Sequence, residues 1–222
     1  MIAIPDMDIH REDWVKQKPS PYSYHVKFSS TLDNIHGLIH IWCMNKSAEI
    51  IAHRGASFDA PENTLEAFQL GLDQGADAIE CDVHLSADNE LIVIHDADVK
   101  RTAGIDRSVM EMTLAELQAL DAGIPSLAEV LDIMPSDRRI FIEVKMGIPA
   151  IEPLKKLLAG FPRIKPQIVL MEFDLKTVIA MKNEFPETEV LWLNDFPVLH
   201  FFWQNKRTLK LILNTTLEHG LD

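Results

Sequence analysis

From Ile50 onward the chain alternates short β-branched apolar runs with longer stretches whose apolar residues return every three or four positions. That rhythm predicts strands joined by helices. Glu49-Ile-Ile-Ala-His-Arg-Gly55 reads as a buried strand over 50–54 that ends in a glycine turn. Leu65, Phe68 and Leu72 share one helical face, Asn63 and Glu66 have the spacing of a capping box, and Gly75 stops the helix. Residues 78–85 alternate strictly, with Ile79, Cys81, Val83 and Leu85 on one side and Glu80, Asp82 and His84 on the other. Two further capping boxes, Thr113 with Glu116 and Ser126 with Glu129, predict helix starts, the second opening a helix over 127–134. Residues 139–145, 168–173 and 189–193 read as strands, and a helix capped by Asp174 fills the gap between the last two.

One connection differs in kind. Only Ser-Ala-Asp-Asn-Glu separates Leu85 from Leu91, too few residues for a parallel crossover, which needs about a dozen. A hairpin is expected, with Asp88-Asn89 as its central pair, and that register sets Asp82 opposite His95. Residues 1–49 lack the rhythm altogether, and their longest apolar run, from Ile35 to Cys43, is broken by His36, Gly37 and His40. The expected organisation is an N-terminal extension over 1–49, peripheral or poorly ordered, and an α/β domain over 50–222.

Composition narrows the partners. The 222 residues carry a formal net charge of -13, which argues against nucleic acid or an anionic membrane as the main partner. Cys43 and Cys81 are the only cysteines and cannot build a disulfide framework, so a cytoplasmic protein is expected. No apolar run approaches the roughly 20 residues of a membrane span, and the first residues lack the basic start of a signal peptide.

An acidic total can also conceal carboxylates gathered around a metal. Glu80 and Asp82 project from the same strand face, where two unpaired carboxylates would repel each other and resist burial. A hard divalent cation removes that cost; a solvent-facing edge strand is the plainer alternative. His53 and Arg54 end the first strand, Glu143 and Lys145 end the 139–145 strand, and the hairpin carries His95. Each has a bland reading, such as a surface ion pair for Glu143 and Lys145. Their convergence on one end of a parallel sheet points to a site. Cys81 points to the opposite face and reads as a small buried residue. His36, His40 and Cys43 lack a fourth zinc ligand at a recognised spacing, and Phe201, Phe202 and Trp203 read as packing residues.

Ala52-His-Arg-Gly-Ala56, Ala60-Pro-Glu-Asn-Thr64, Glu80-Cys-Asp-Val83, His95-Asp96 and Ile142-Glu-Val-Lys145 together resemble the glycerophosphodiester phosphodiesterase family. The resemblance runs from about Ile50 to the C-terminus. It implies a TIM-type (β/α) barrel with a hairpin after its second strand. It also implies metal-dependent hydrolysis of small-molecule glycerophosphodiesters to an alcohol and glycerol 3-phosphate, by way of a cyclic phosphate. By the same resemblance Glu80, Asp82 and Glu143 hold a divalent cation, Mg2+ or Ca2+. His53 and His95 are general acid and base, Arg54 and Lys145 contact the phosphate, and Glu62 supports them.

The strand count is five of eight with the hairpin strand set aside, and the 173 residues from Ile50 onward fall short of the roughly 250 of a typical barrel. The expectation is therefore an incomplete barrel that self-associates through open edges. The alternatives to an active enzyme are a member of the fold that binds metal or phosphate without turnover, and an interaction domain whose acidic rim is incidental.

Overall fold

The computed structural model describes residues 49–193. Residues 1–48, with His36, His40 and Cys43, and residues 194–222, with Phe201, Phe202 and Trp203, lie outside the described residues.

The chain enters through β1 (Ile51–His53) and α1 (Leu65–Asp73), then β2 (Ala78–Leu85) and β3 (Leu91–Val93). Three short helices follow, α2 (Lys100–Ala103), α3 (Leu114–Gln118) and α4 (Leu127–Ile133). The remainder is β4 (Arg139–Val144), α5 (Ile151–Ala159), β5 (Ile168–Glu172), α6 (Leu175–Glu184) and β6 (Glu189–Trp192). The sheet order is β1-β2-β4-β5-β6 with every pair parallel, and β3 pairs antiparallel with β2 off this path. This is the TIM-type arrangement expected from the sequence, with five of its parallel strands among the described residues.

Period-two alternation sorts the strand residues into two cores. Ile79, Cys81 and Val83 of β2, Ile140 and Ile142 of β4 and Leu170 of β5 are fully buried against Phe68, Leu127, Leu154 and Met181 of the helices. The opposite face is apolar at its start, where Ala78, Phe141, Val169 and Met171 cluster with Ile51 and Leu191. Further along the same face come Glu80, two residues past Ala78, Asp82, four past it, and Glu143, two past Phe141. A third cluster, Ile92, Ile94, Val99, Val109, Met112, Leu117 and Ile124, packs beneath the segment that carries His95.

Helix starts follow their predicted caps at three places. Thr113 and Ser126 form complete capping boxes, and Asp174 accepts from Thr177 N. At α1 the expectation is corrected. Thr64 is the N-cap, accepting from Ala67 N at 3.1 Å, because the Asn63 side chain is used elsewhere. Helix α5 carries no sequence start signal, since its N-cap is Ala150 with no side-chain hydrogen bond and it grows out of a 3-10 turn over Ile148–Ala150.

The hairpin register is also corrected by one residue. Leu85 pairs with Leu91 and Val83 with Val93, so Asp82 O accepts from Ile94 N at 3.0 Å rather than facing His95. The cause is the turn. Ser86 N donates to Glu90 O and Asn89 adopts φ 61°, giving a three-residue loop with a left-handed last position instead of a two-residue turn.

Candidate active site

Glu80, Asp82 and Glu143 are 2%, 0% and 7% exposed, and one carboxylate oxygen from each lies within 4.8 Å of the other two. The cause is registry: Asp82 of β2 is the direct parallel partner of Glu143 on β4, and Glu80 lies two residues back on the same face. Compensation is uneven. Asp82 Oδ2 accepts from Asn63 Nδ2 at 2.9 Å and lies 3.2 Å from Arg54 Nε, while Lys145 Nζ lies 3.1 Å from Asp82 Oδ1. Glu143 Oε1 accepts from Lys145 Nζ at 2.6 Å. Glu80 Oε2 accepts from Arg54 N at 3.0 Å, but Glu80 Oε1 is buried with no donor.

The protonation equilibria follow that imbalance. Burial and the neighbouring Asp82 push Glu80 up to about 8. Burial alone would raise Asp82, but Asn63, Lys145 and Arg54 together hold it below the usual range. Glu143 is raised by burial in spite of Lys145. With all three carboxylates ionised, the two cations Arg54 and Lys145 leave one uncompensated negative charge, which the proton kept by Glu80 cancels at neutral pH. A donorless buried carboxylate oxygen in an all-oxygen set is what a hard divalent cation fits, so the residues present suit Mg2+ or Ca2+.

The turn after β1 supplies the next groups. Gly55 has φ 78°, and a Cβ there would meet the Ala67 carbonyl carbon at 2.5 Å, so only glycine lets the turn lie against α1. Arg54 and Asn63 also take left-handed backbone, at φ 56° and 58°, and Asn63 N donates to Arg54 O at 3.0 Å. This clasp aims both side chains at Asp82. His53 sits at the rim with its side chain 67% exposed, and its Nε2 lies 3.7 Å from Glu80 Oε2. Partial burial of the ring, then Arg54, lower the His53 pKa.

A chain of charged contacts links the hairpin side to this turn. His95 Nδ1 meets Asp96 Oδ1 at 2.7 Å, and Asp96 Oδ2 accepts from Arg101 Nε at 2.6 Å. Arg101 Nη2 donates to Glu62 Oε1 at 2.7 Å, and the same oxygen accepts from Arg54 Nη1 at 3.3 Å. His95 is near enough to His53 to disfavour a proton there. Buried His84 holds the His95 backbone, its Nε2 donating to His95 O at 3.0 Å, and its Nδ1 faces Met146 Sδ at 3.3 Å.

His53, Arg54, Glu62, Glu80, Asp82, His95, Glu143 and Lys145 therefore lie at this end of the sheet or in the contact chain reaching it. Asn63, Arg101 and His84 were not singled out as site residues. Asn63 stands in the quoted Ala60-Pro-Glu-Asn-Thr64 motif, and His84 continues the polar side of β2 past Asp82. Arg101 has no periodic or motif signal in the sequence.

The model of the glycerophosphoryl diester phosphodiesterase family matches residues 53–201. The glycerophosphodiester phosphodiesterase of Caldanaerobacter subterraneus is 35% identical over 158 residues, 64% of this chain and 64% of that protein. The chain thus spans about two thirds of that relative's length. The crystal structure of a glycerophosphodiester phosphodiesterase from Thermotoga maritima superposes with a TM-score of 0.67 at 28% identity, covering 80% of this chain and 73% of the other. An Oleispira antarctica phosphodiesterase, solved with the product sn-glycerol-3-phosphate, gives 0.59 at 26% identity over 76% of this chain and 72% of that one.

Proposed function

The chain belongs to the glycerophosphoryl diester phosphodiesterase family, and on that premise we propose that it hydrolyses glycerophosphodiesters to an alcohol and glycerol 3-phosphate in a metal-dependent reaction. The observation that carries this reading is the cluster of Glu80, Asp82 and Glu143 with its donorless buried oxygen, flanked by two histidines and two cations. The three carboxylates would hold one Mg2+ or Ca2+. Such a cation supplies charge neutralisation of the phosphate as negative charge builds in the transition state.

The chain's own residues do the rest. Arg54 and Lys145 bind the non-bridging phosphate oxygens and orient the phosphorus towards the substrate's neighbouring glycerol hydroxyl. One of His53 and His95 takes the proton of that hydroxyl as its oxygen bonds to phosphorus. The other gives a proton to the alkoxide oxygen as its bond to phosphorus breaks, so a neutral alcohol departs. The cyclic phosphate left behind is opened by water with the two roles reversed, yielding glycerol 3-phosphate and restoring both rings. Charge counting favours this substrate. With the Glu80 proton displaced by metal, the three carboxylates, Arg54 and Lys145 sum to one net negative charge. A divalent cation would turn that to one net positive, which a phosphodiester monoanion neutralises.

The test is release of glycerol 3-phosphate from glycerophosphocholine, with and without chelator. Wild-type protein should turn over only with divalent metal. His53→Ala and His95→Ala should each lose about two or more orders of magnitude in kcat while still binding metal. Metal binding with no turnover in the wild type would favour the non-catalytic alternative instead.

The same reading takes residues 50–222 as the catalytic domain of a cytoplasmic protein. Its support is the start of the family match near Ile50, the cysteine count and the acidic charge; among the described residues no helix is long and apolar enough to cross a membrane. It also includes self-association through β1 and β6, each paired on one side among the described residues. Light scattering after gel filtration checks the latter, a monomer at micromolar concentration counting against it.

A further inference from the structure

We infer that Arg101 is a positioning residue that locks the acid–base histidine and the phosphate-binding arginine into one frame by holding Asp96 and Glu62 on a single guanidinium. The inference rests on the functional reading above for the roles of His95 and Arg54. The geometry stands independently of it. Arg101 Nε donates to Asp96 Oδ2 at 2.6 Å and Arg101 Nη2 donates to Glu62 Oε1 at 2.7 Å. Asp96 in turn meets His95 Nδ1 at 2.7 Å, and Glu62 accepts from Arg54 Nη1 at 3.3 Å. The two carboxylates lie on different loops, 39 residues separating Arg101 from Glu62, and the Arg101 guanidinium bonds to both.

The contact has a chemical consequence at His95. Asp96 stays ionised at neutral pH, held to about 2 by Arg101 first and His95 second, so both of its oxygens can only accept. The hydrogen between the ring and Asp96 therefore sits on His95 Nδ1, whichever charge the ring carries. Nε2 is left as the atom that exchanges protons with substrate. On the other side, Glu62 loaded by Arg101 keeps a fixed oxygen beside Arg54 Nη1. Among the described residues, that contact adds to the one between Arg54 Nε and Asp82 in defining the guanidinium plane. Arg101 touches neither substrate-facing atom itself. Its planar fork serves two carboxylates at once, which a lysine ammonium on a flexible stem cannot reproduce.

A stability role does not account for this arrangement. The Arg101 side chain is 49% exposed, and ion pairs that exposed contribute little to folding. An Arg101→Met protein is therefore expected to fold, which thermal unfolding verifies. Two readouts then report on position without needing turnover. Nitrogen-15 shifts of His95 give its tautomer, expected to be the Nδ1–H form in wild type and a mixture in Arg101→Met, where the still-ionised Asp96 is no longer held against the ring. Binding of inorganic phosphate in the presence of Mg2+ is expected to weaken about three- to tenfold in the variant as Arg54 loses its brace. Arg101→Lys should restore at most one of the two. Kinetics on glycerophosphocholine should show kcat lowered about tenfold or more, with KM raised as well. Wild-type tautomer and wild-type phosphate affinity in Arg101→Met would overturn the inference, as would full recovery of both by Arg101→Lys. A wild-type protein without turnover would instead refute the functional reading, and the tautomer and phosphate readouts would still judge Arg101.

Discussion

Glu80 is where burial and charge conflict most directly. Its carboxyl is 2% exposed, has one donorless oxygen and is pushed up to about 8, far above its ordinary 4.5. A group whose pKa is higher in the folded than in the unfolded chain stabilises the fold fully below the unfolded value, and that contribution is lost as pH rises through the folded value. Metal-free protein should thus lose stability between about pH 4.5 and pH 8, by on the order of 5 kcal/mol at about 1.4 kcal/mol per pH unit. A divalent cation competes with that proton, so the rise in Tm on adding Mg2+ or Ca2+ should grow over the same interval. Glu80→Gln should flatten the metal-free profile and abolish the metal-induced rise. Differential scanning calorimetry at pH 5, 6.5 and 8 checks this, and a metal-induced rise that shrinks with pH would contradict it. Glu80 and Asp82 were legible in the sequence because strict alternation names a face. Asn63 was not read as a ligand of Asp82, because an Asn before an amphipathic run equally suits an N-cap. Only tertiary structure shows Thr64 taking the cap and freeing Asn63 for Asp82. Arg101 was illegible for a simpler reason: its two partners lie on loops whose approach no local pattern encodes.

β2 carries Glu80 and Asp82 in its interior, whereas the other site residues come near or just beyond the ends of elements. β1 is three residues long, yet its last residue, the turn after it and the segment leading to the Thr64 cap of α1 deliver His53, Arg54, Glu62 and Asn63. The turn depends on Gly55, whose α-hydrogen faces the backbone of α1 where a Cβ would sit 2.5 Å from the Ala67 carbonyl carbon. Gly55→Ala is expected to cost about 3 kcal/mol or more, from overpacking against backbone and from a left-handed φ. It should also weaken metal binding, because the Arg54–Asn63 clasp on Asp82 is built on the same turn. Urea unfolding and metal titration of the variant measure the two effects; a loss under about 1 kcal/mol would mean the turn can relax away from α1. Strand bounds and three of the helix starts were readable because alternation and side-chain caps are local signals. The hairpin register missed by one residue because Asn89 takes left-handed backbone, which converts an expected two-residue turn into three. Helix α5 was passed over because it starts from a 3-10 turn with no capping side chain. The His95 backbone is held past the end of the ladder at Val93 by Ile94 N donating to Asp82 O and by His84 Nε2 donating to His95 O.

Across the molecule, charge is layered against the sheet. The interior face is apolar at the strand starts, acidic further along and ringed by Arg54, Lys145 and the two histidines at the strand ends. The chain as a whole carries a net charge of -13. A substrate approaching from a distance meets the sum, whereas one at the rim meets the local cations. Which field dominates depends on screening, because the Debye length shrinks from about 30 Å at 0.01 M salt to about 8 Å at 0.15 M. At low salt the overall negative field repels an anionic glycerophosphodiester but acts little on a zwitterionic one such as glycerophosphocholine. Raising salt between those limits at fixed free metal concentration should therefore increase kcat/KM for the anionic substrate relative to the zwitterionic one. The gain belongs in capture, with kcat left nearly unchanged, because the ion pairs around the phosphate are buried and weakly screened once substrate is seated. Initial-rate measurements on both substrates across the salt series decide the matter. A fall in the ratio with salt would show that the rim cations, not the total charge, set the long-range field.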